Sequence, residues 1–232
     1  MQWGSLTLAA VRLDASAPED AEGGIAALHP VELGRAARMP AGRERDRFLG
    51  GRTALRRFAA ELLGTGPQHL LLDYTCANCG LSGAIDHGRP GYRGPGGGGG
   101  REVRLSLSRS GPWGLLAGTT DPAIGAVGVD LEDAGRAGFA GFDAVLLTPS
   151  ERAALSRSDS AADGAGSLRM RARLWARKEA FLKATGAGLF REPSEVDASG
   201  DAFEGIDLAD VDPGPLGLPA ELVAATAVHR LP

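Results

Sequence analysis

The stretch Leu174-Trp175-Ala176-Arg177-Lys178-Glu179-Ala180-Phe181-Leu182-Lys183 decides how this chain is read. It sits within Leu168 to Thr185, whose apolar residues recur at helical spacing, and Gly186 and Gly188 supply the stop. On a helix, Trp175, Glu179 and Lys183 form one i, i+4 file, and Leu174, Lys178, Phe181 and Leu182 share the adjoining apolar face. A lysine in an apolar stripe must snorkel or meet an anion, because a buried unpaired ammonium is costly. Upstream, Thr148-Pro149-Ser150-Glu151 has the form of a capping box with proline inside the first turn, opening an Ala-rich helix.

The first half of the chain follows the same plan. Pro30-Val31-Glu32 offers a helix start, and Leu49 to Leu63 reads as a long helix that carries Arg52 and ends at Gly64. Pro30 to Gly64 spans 34 positions and Pro149 to Gly186 spans 37, which suggests an internal duplication. Strand-like segments surround these helices: Leu6 to Leu13, Val103 to Leu107, Leu115 to Thr119, Val127 to Leu131 and Leu222 to Val228. Short strands with a few long helices predict an α+β architecture of two pseudo-symmetric lobes, each a small antiparallel sheet packed with a long helix. The lobes are expected at 1–122 and 123–232, with a flexible glycine-rich loop at 94–100 in the first.

With 232 residues, 43% of them hydrophobic, the chain can build real cores without metal or disulfide staples. A net charge of -4 gives no global field for nucleic acid, so any anion site must be local. No apolar run approaches the roughly 18 residues of a membrane span, and two cysteines are too few for a secreted disulfide framework. The expected setting is a reducing cytoplasm. Of the 25 basic residues only Lys178 and Lys183 are lysine, an asymmetry with chemical meaning, since a compact ammonium and a planar guanidinium are not interchangeable in a tight site.

Within Gly128-Val129-Asp130-Leu131-Glu132, strand periodicity sends Asp130 and Glu132 to the same face. Two crowded carboxylates call for a cation or a raised pKa, and a few hard oxygen ligands suit Mg²⁺ held alongside phosphates. Alone, Asp-x-Glu describes a solvated strand end equally well. Ser106-Leu107-Ser108-Arg109 ends a strand in hydroxyls and a guanidinium that could hold phosphate oxygens, and Gly88-Arg89-Pro90 could aim a fixed arginine. Cys76 and Cys79, with His69 and His87 nearby, outline a zinc knuckle only weakly; reduced thiols in a turn are the simpler expectation.

Together, Gly128-Val129-Asp130-Leu131-Glu132 and Trp175-Ala176-Arg177-Lys178-Glu179-Ala180-Phe181-Leu182-Lys183 resemble the two signatures of the phosphopantetheinyl transferases. Gly51-Arg52, Gly88-Arg89-Pro90 and Ser106-Leu107-Ser108 agree with that family's minor signatures in type and order, and the length resembles its two-lobed, monomeric Sfp-type. The resemblance implies transfer of the 4′-phosphopantetheine arm of coenzyme A to a serine of an acyl or peptidyl carrier protein, from coenzyme A held in a cleft between the lobes. It implies Mg²⁺ among Asp130, Glu132 and Glu179, and catalysis by Glu179, Lys183 and Asp130. It also implies cofactor contacts from Arg52, Arg89, Ser108, Arg109, Lys178 and Lys183. Arg109 stands where the family commonly has histidine. The alternatives are a non-catalytic coenzyme A or carrier-binding module, or another magnesium-dependent phosphoryl or nucleotidyl transferase.

Overall fold

The computed structural model describes residues 1–14, 24–77, 79–83, 85, 87–95, 102–159 and 164–232. Most of the glycine run expected as a mobile loop, 96–100, lies outside them. The chain forms two compact units, Met1–Ile124 and Gly125–Pro232.

Unit 1 opens with β1 (Gln2–Trp3) and β2 (Leu6–Arg12), continues through α1 (Pro30–Ala37) and α2 (Arg43–Leu63), and passes through four two-residue strands. These are β3 (Leu71–Leu72), β4 (Tyr74–Thr75), β5 (Ser82–Gly83) and β6 (Tyr92–Arg93). The hairpin β7 (Arg104–Ser110) and β8 (Trp113–Thr119) completes a sheet of order β1-β2-β8-β7, antiparallel throughout, with Leu8 opposite Ala117 and Leu107 opposite Leu116. Helix α1 begins at its proline with His29 as N-cap, closing a capping box with Glu32. Helix α2 buries Phe48, Leu55, Phe58 and Ala59 and ends on Gly64, whose φ of +66° only glycine adopts freely.

Unit 2 runs through β9 (Ile124–Asp133), α3 (Phe142–Leu146), α4 (Pro149–Asp159), α5 (Gly164–Thr185), β10 (Ala202–Phe203), β11 (Ile206–Val211) and β12 (Leu222–Arg230). Its sheet has the order β10-β11-β12-β9. In both units a long opening strand, β2 or β9, leads into two or three helices, and a later pair of antiparallel strands returns so that the last strand, β8 or β12, neighbours it. The α+β prediction and the duplicated plan are therefore both present. Sequence periodicity overlooked β11, whose Ile206, Leu208 and Val211 are buried while Asp207 faces out.

Helix α5 covers the unit 2 sheet with Leu174, Ala176, Ala180, Phe181 and Leu182, all nearly inaccessible. Each fully buried Leu or Phe contributes about 1.5–3 kcal/mol. Strand β9 meets this helix at unusually short range: a Cβ on Gly128 would lie 1.8 Å from the carbonyl oxygen of Ala180. Glycine at 128 is therefore what lets the carboxylate strand approach the helix that bears Glu179. Among the described residues, no helix is long and apolar enough to cross a membrane.

Candidate active site

In unit 2 the close packing of β9 on α5 sets two rows of side chains against each other. From the helix come Trp175, Glu179 and Lys183; from the strand come Asp130 and Glu132. The Trp175 indole N–H donates to Glu132 Oε1 at 2.9 Å. At the other end of the file, Lys183 Nζ donates to Asp130 Oδ1 at 2.5 Å and to the Val129 carbonyl at 3.1 Å. Asp130 is buried, while Glu132, Glu179 and Lys183 are half-buried.

The carboxylates act on one another. Burial, then the charge of Asp130, pushes Glu132 up to about 7, against the pull of the Trp175 hydrogen bond and of Lys183. Burial followed by Asp130 likewise raises Glu179, with Lys183 opposing. Three acidic groups share one field with a single ammonium to offset them. Such an oxygen-rich, over-negative group fits Mg²⁺, which keeps several waters and takes few protein carboxylates rather than a closed cage. Asp130, Glu132 and Glu179 are the carboxylates nearest to such a role, but among the described residues their oxygens do not all lie within 4.8 Å of one another.

Lys178 does not belong to this site. Its ammonium is fully buried on the opposite side of the file, 2.6 Å from Glu151 Oε2, and donates to the carbonyls of Pro193 (3.0 Å) and Val196 (2.6 Å). Burial lowers its pKa, with Glu151 opposing. All three of its donors are engaged, which leaves nothing for a cofactor phosphate. The need for an anionic partner was visible in the sequence; the partner was not. Glu151 is the N3 residue of the capping box, bonded to Thr148 N at 2.8 Å, and its other oxygen accepts from Ala198 N at 2.8 Å.

In unit 1, two of the expected cofactor contacts, Arg52 and Arg109, cluster and two, Ser108 and Arg89, do not. The guanidinium of Arg52 lies 5.2 Å from the Phe48 ring centre and 5.3 Å from that of Tyr74, and Arg109 lies 6.0 Å from Phe48. Arg35, which sequence reasoning missed, is 5.4 Å from the same Phe48 ring; its only sequence signal was a basic residue in the last turn of α1. Desolvation, then the like charges of Arg52 and Arg35, lowers the Arg109 pKa although the residue itself remains exposed. Ser108 is buried in β7, and strand alternation turns it to the face opposite Arg109, away from the arginine group. Arginines gathered on one aromatic ring form a local positive patch in a net-acidic chain, suited to a polyanion. Arg89 stands elsewhere: its pKa is lowered by burial and by Arg104, not by the Arg52 group.

Residues 126–216 match the family model of the 4′-phosphopantetheinyl transferase superfamily. That span runs from β9 through β11 and carries Asp130, Glu132, Glu179 and Lys183. Over it, the chain is similar to proteins of that superfamily. None of the curated proteins matches the chain.

Proposed function

We propose that this protein is an Sfp-type 4′-phosphopantetheinyl transferase, which moves the phosphopantetheine arm of coenzyme A onto a serine of an apo carrier protein and releases 3′,5′-ADP. The observation that carries the proposal is the apposition of Asp130 and Glu132 with the Trp175-Glu179-Lys183 file, inside the span that matches the superfamily.

In the reaction, the serine oxygen bonds to the β-phosphorus, the bond from that phosphorus to the bridging oxygen breaks, and the bridging oxygen leaves with the adenosine bisphosphate. Mg²⁺ held by Asp130, Glu132 and Glu179 would supply charge neutralisation on the pyrophosphate. Glu179 would take the serine proton, directly or through an intervening water, because helix α5 fixes it where the charges of Asp130 and Lys183 both act on it. Lys183 steadies Asp130 and faces the developing charge with a half-exposed ammonium. Arg52 and Arg109 would hold the phosphates of the nucleotide end, and Arg89 a further anionic group. The expected surroundings are cytoplasmic and the expected state monomeric.

The test incubates the protein with coenzyme A, Mg²⁺ and apo carriers from fatty-acid, polyketide and peptide synthesis, and reads intact carrier mass. Gain of the phosphopantetheine mass on at least one carrier is expected. No gain on any carrier, with coenzyme A still bound, overturns the transferase reading in favour of a binding module.

A further inference from the structure

We propose that Cys76, Cys79 and His87 form a structural zinc site that clamps the loop bearing Arg89. Neither cysteine is in a disulfide. Among the described residues, these are the one trio of His, Cys, Asp or Glu side chains whose ligand atoms all lie within 4.8 Å of one another. Cys79 Sγ and His87 Nε2 are 3.3 Å apart. A tetrahedral zinc with Zn–S of about 2.3 Å and Zn–N of about 2.0 Å sets its ligand atoms roughly 3.5–3.8 Å apart, so small rotamer adjustments close the set.

The backbone brings these ligands together from two directions. After β4, the Cys-x-x-Cys-Gly turn folds back: Gly80 N donates to Cys76 O at 3.0 Å, and Cys76 N donates to Leu81 O at 2.9 Å. Gly80 sits at φ +67°, where a side chain would be strained. The chain then returns alongside, with Arg89 N donating to Thr75 O at 2.7 Å and Thr75 N to Arg89 O at 3.1 Å. Between His87 and Arg89, Gly88 adopts φ +87°, and a Cβ there would lie 2.3 Å from the Thr75 carbonyl oxygen. Two glycines thus let separate segments approach closely enough to bring a third ligand to the cysteine pair.

Among the described residues from Leu71 to Arg93 the strands are two residues long, β3 pairing with β6 and β4 with β5, with one further bridge between Thr75 and Arg89; Leu72, Tyr74 and Tyr92 are buried, whereas Leu71 and Leu81 are exposed. The core holds this segment at Leu72, Tyr74 and Tyr92, so a metal on Cys76, Cys79 and His87 would fix the turn that extends beyond it. Thiolate and imidazole donors select zinc over Mg²⁺. Two thiolates and a neutral imidazole cancel the ion's charge, so the site adds no repulsion at Arg89. Each thiol releases its proton on binding.

The experiment uses the full chain, purified reduced and without chelator, with metal content read by elemental analysis and native mass. One zinc per chain is expected in the unmodified protein and in His69→Ala, whose imidazole pairs with Gln68 instead. Cys76→Ser, Cys79→Ser and His87→Ala should each lose it while keeping the unmodified far-ultraviolet circular dichroism. Chelation should lower the melting temperature of the unmodified protein and leave that of Cys79→Ser unchanged. A reduced chain that takes up no added zinc, or zinc content unaltered by Cys76→Ser, overturns the site. None of these readouts depends on transferase activity.

Discussion

Arg56 and Lys178 do the same structural work in the two units. Arg56 donates through Nε to the carbonyl of Pro67 (2.8 Å) and through Nη2 to that of Leu70 (2.6 Å), while Lys178 donates to the carbonyls of Pro193 and Val196. Each lies about two turns before the glycine that closes its long helix, Gly64 or Gly186. Each ties that helix to a 3₁₀ turn opened by proline. Their capping-box acids correspond too: Glu32 is buried and accepts from the hydroxyls of Tyr74 (2.8 Å) and Tyr92 (3.0 Å), where Glu151 meets Lys178. In this register Glu179 and Lys183 fall opposite Arg57 and Glu61, so the duplicated scaffold carries reversed charges and acidic chemistry in one unit only.

Lys178→Met should therefore destabilise unit 2 by about 3–5 kcal/mol, since it leaves the Glu151 carboxylate buried without its cation. Pairing it with Glu151→Gln should recover much of that loss. Urea denaturation measures both. The coenzyme A KM of the folded fraction should be unchanged; a raised KM would return Lys178 to the cofactor site.

Gly128→Ala tests the approach of β9 to α5. A methyl group 1.8 Å from the Ala180 carbonyl oxygen meets backbone rather than a movable side chain, so the strand must shift away from the helix. Overpacking of this kind should remove about 3 kcal/mol or more of stability, and separate Asp130 from Lys183. Thermal melts and transfer rates should fall together; an unchanged melt would mean that the packing is looser than described.

The sequence exposed the parts of this architecture that rest on periodicity and termination. Gly64, Pro30, Pro149 and the file of Trp175, Glu179 and Lys183 each follow from local rules, and their elements begin, end or face as those rules require. What stayed hidden depends on distance along the chain. Nothing local says that the Trp175 indole reaches Glu132, that Arg35 joins Arg52 on Phe48, or that Glu151 is the partner Lys178 needs. Lys178 was misassigned because one substitution pattern, lysine kept where arginine prevails, fits a phosphate contact and a tight buried ion pair equally well. His87 was visible as a nearby imidazole, but its meeting with Cys79 depends on the Gly88 approach to Thr75.

Glu132 makes metal binding pH-dependent. The folded carboxyl holds its proton to about pH 7, whereas the ordinary value is 4.5. Between those values the folded state binds more protons than the unfolded one, so stability falls as pH rises through the window and is level above it. Magnesium needs the ionised form, so its affinity should climb with pH up to about 7 and then plateau, with a proton released on binding. Titration calorimetry in buffers of differing ionisation enthalpy reads both. Trp175→Phe, which deletes the N–H that favours ionised Glu132, should move the midpoint to higher pH. A flat profile would remove Glu132 from the ligand set.

The arginine group on Phe48 makes an opposite pair of predictions for binding and for stability. Burial, then the like charges of Arg52 and Arg35, lowers the Arg109 pKa against the pull of Glu44, so the cluster favours an added anion. Arg109→Ala removes that repulsion and should leave the melting temperature unchanged or higher. It should also weaken coenzyme A, because a hydrogen bond to a charged group contributes about 1.5–3 kcal/mol, roughly ten- to hundred-fold in Kd. Arg52→Ala should cost as much affinity and some stability, since Arg52 also packs on Phe48 and Tyr74. Calorimetric titration with coenzyme A and with its 3′-dephospho form separates the phosphates: a contact to the 3′-phosphate makes the Arg109 variant indifferent to its removal. Equal affinities for the unmodified protein and both variants would place the nucleotide phosphates somewhere other than this cluster.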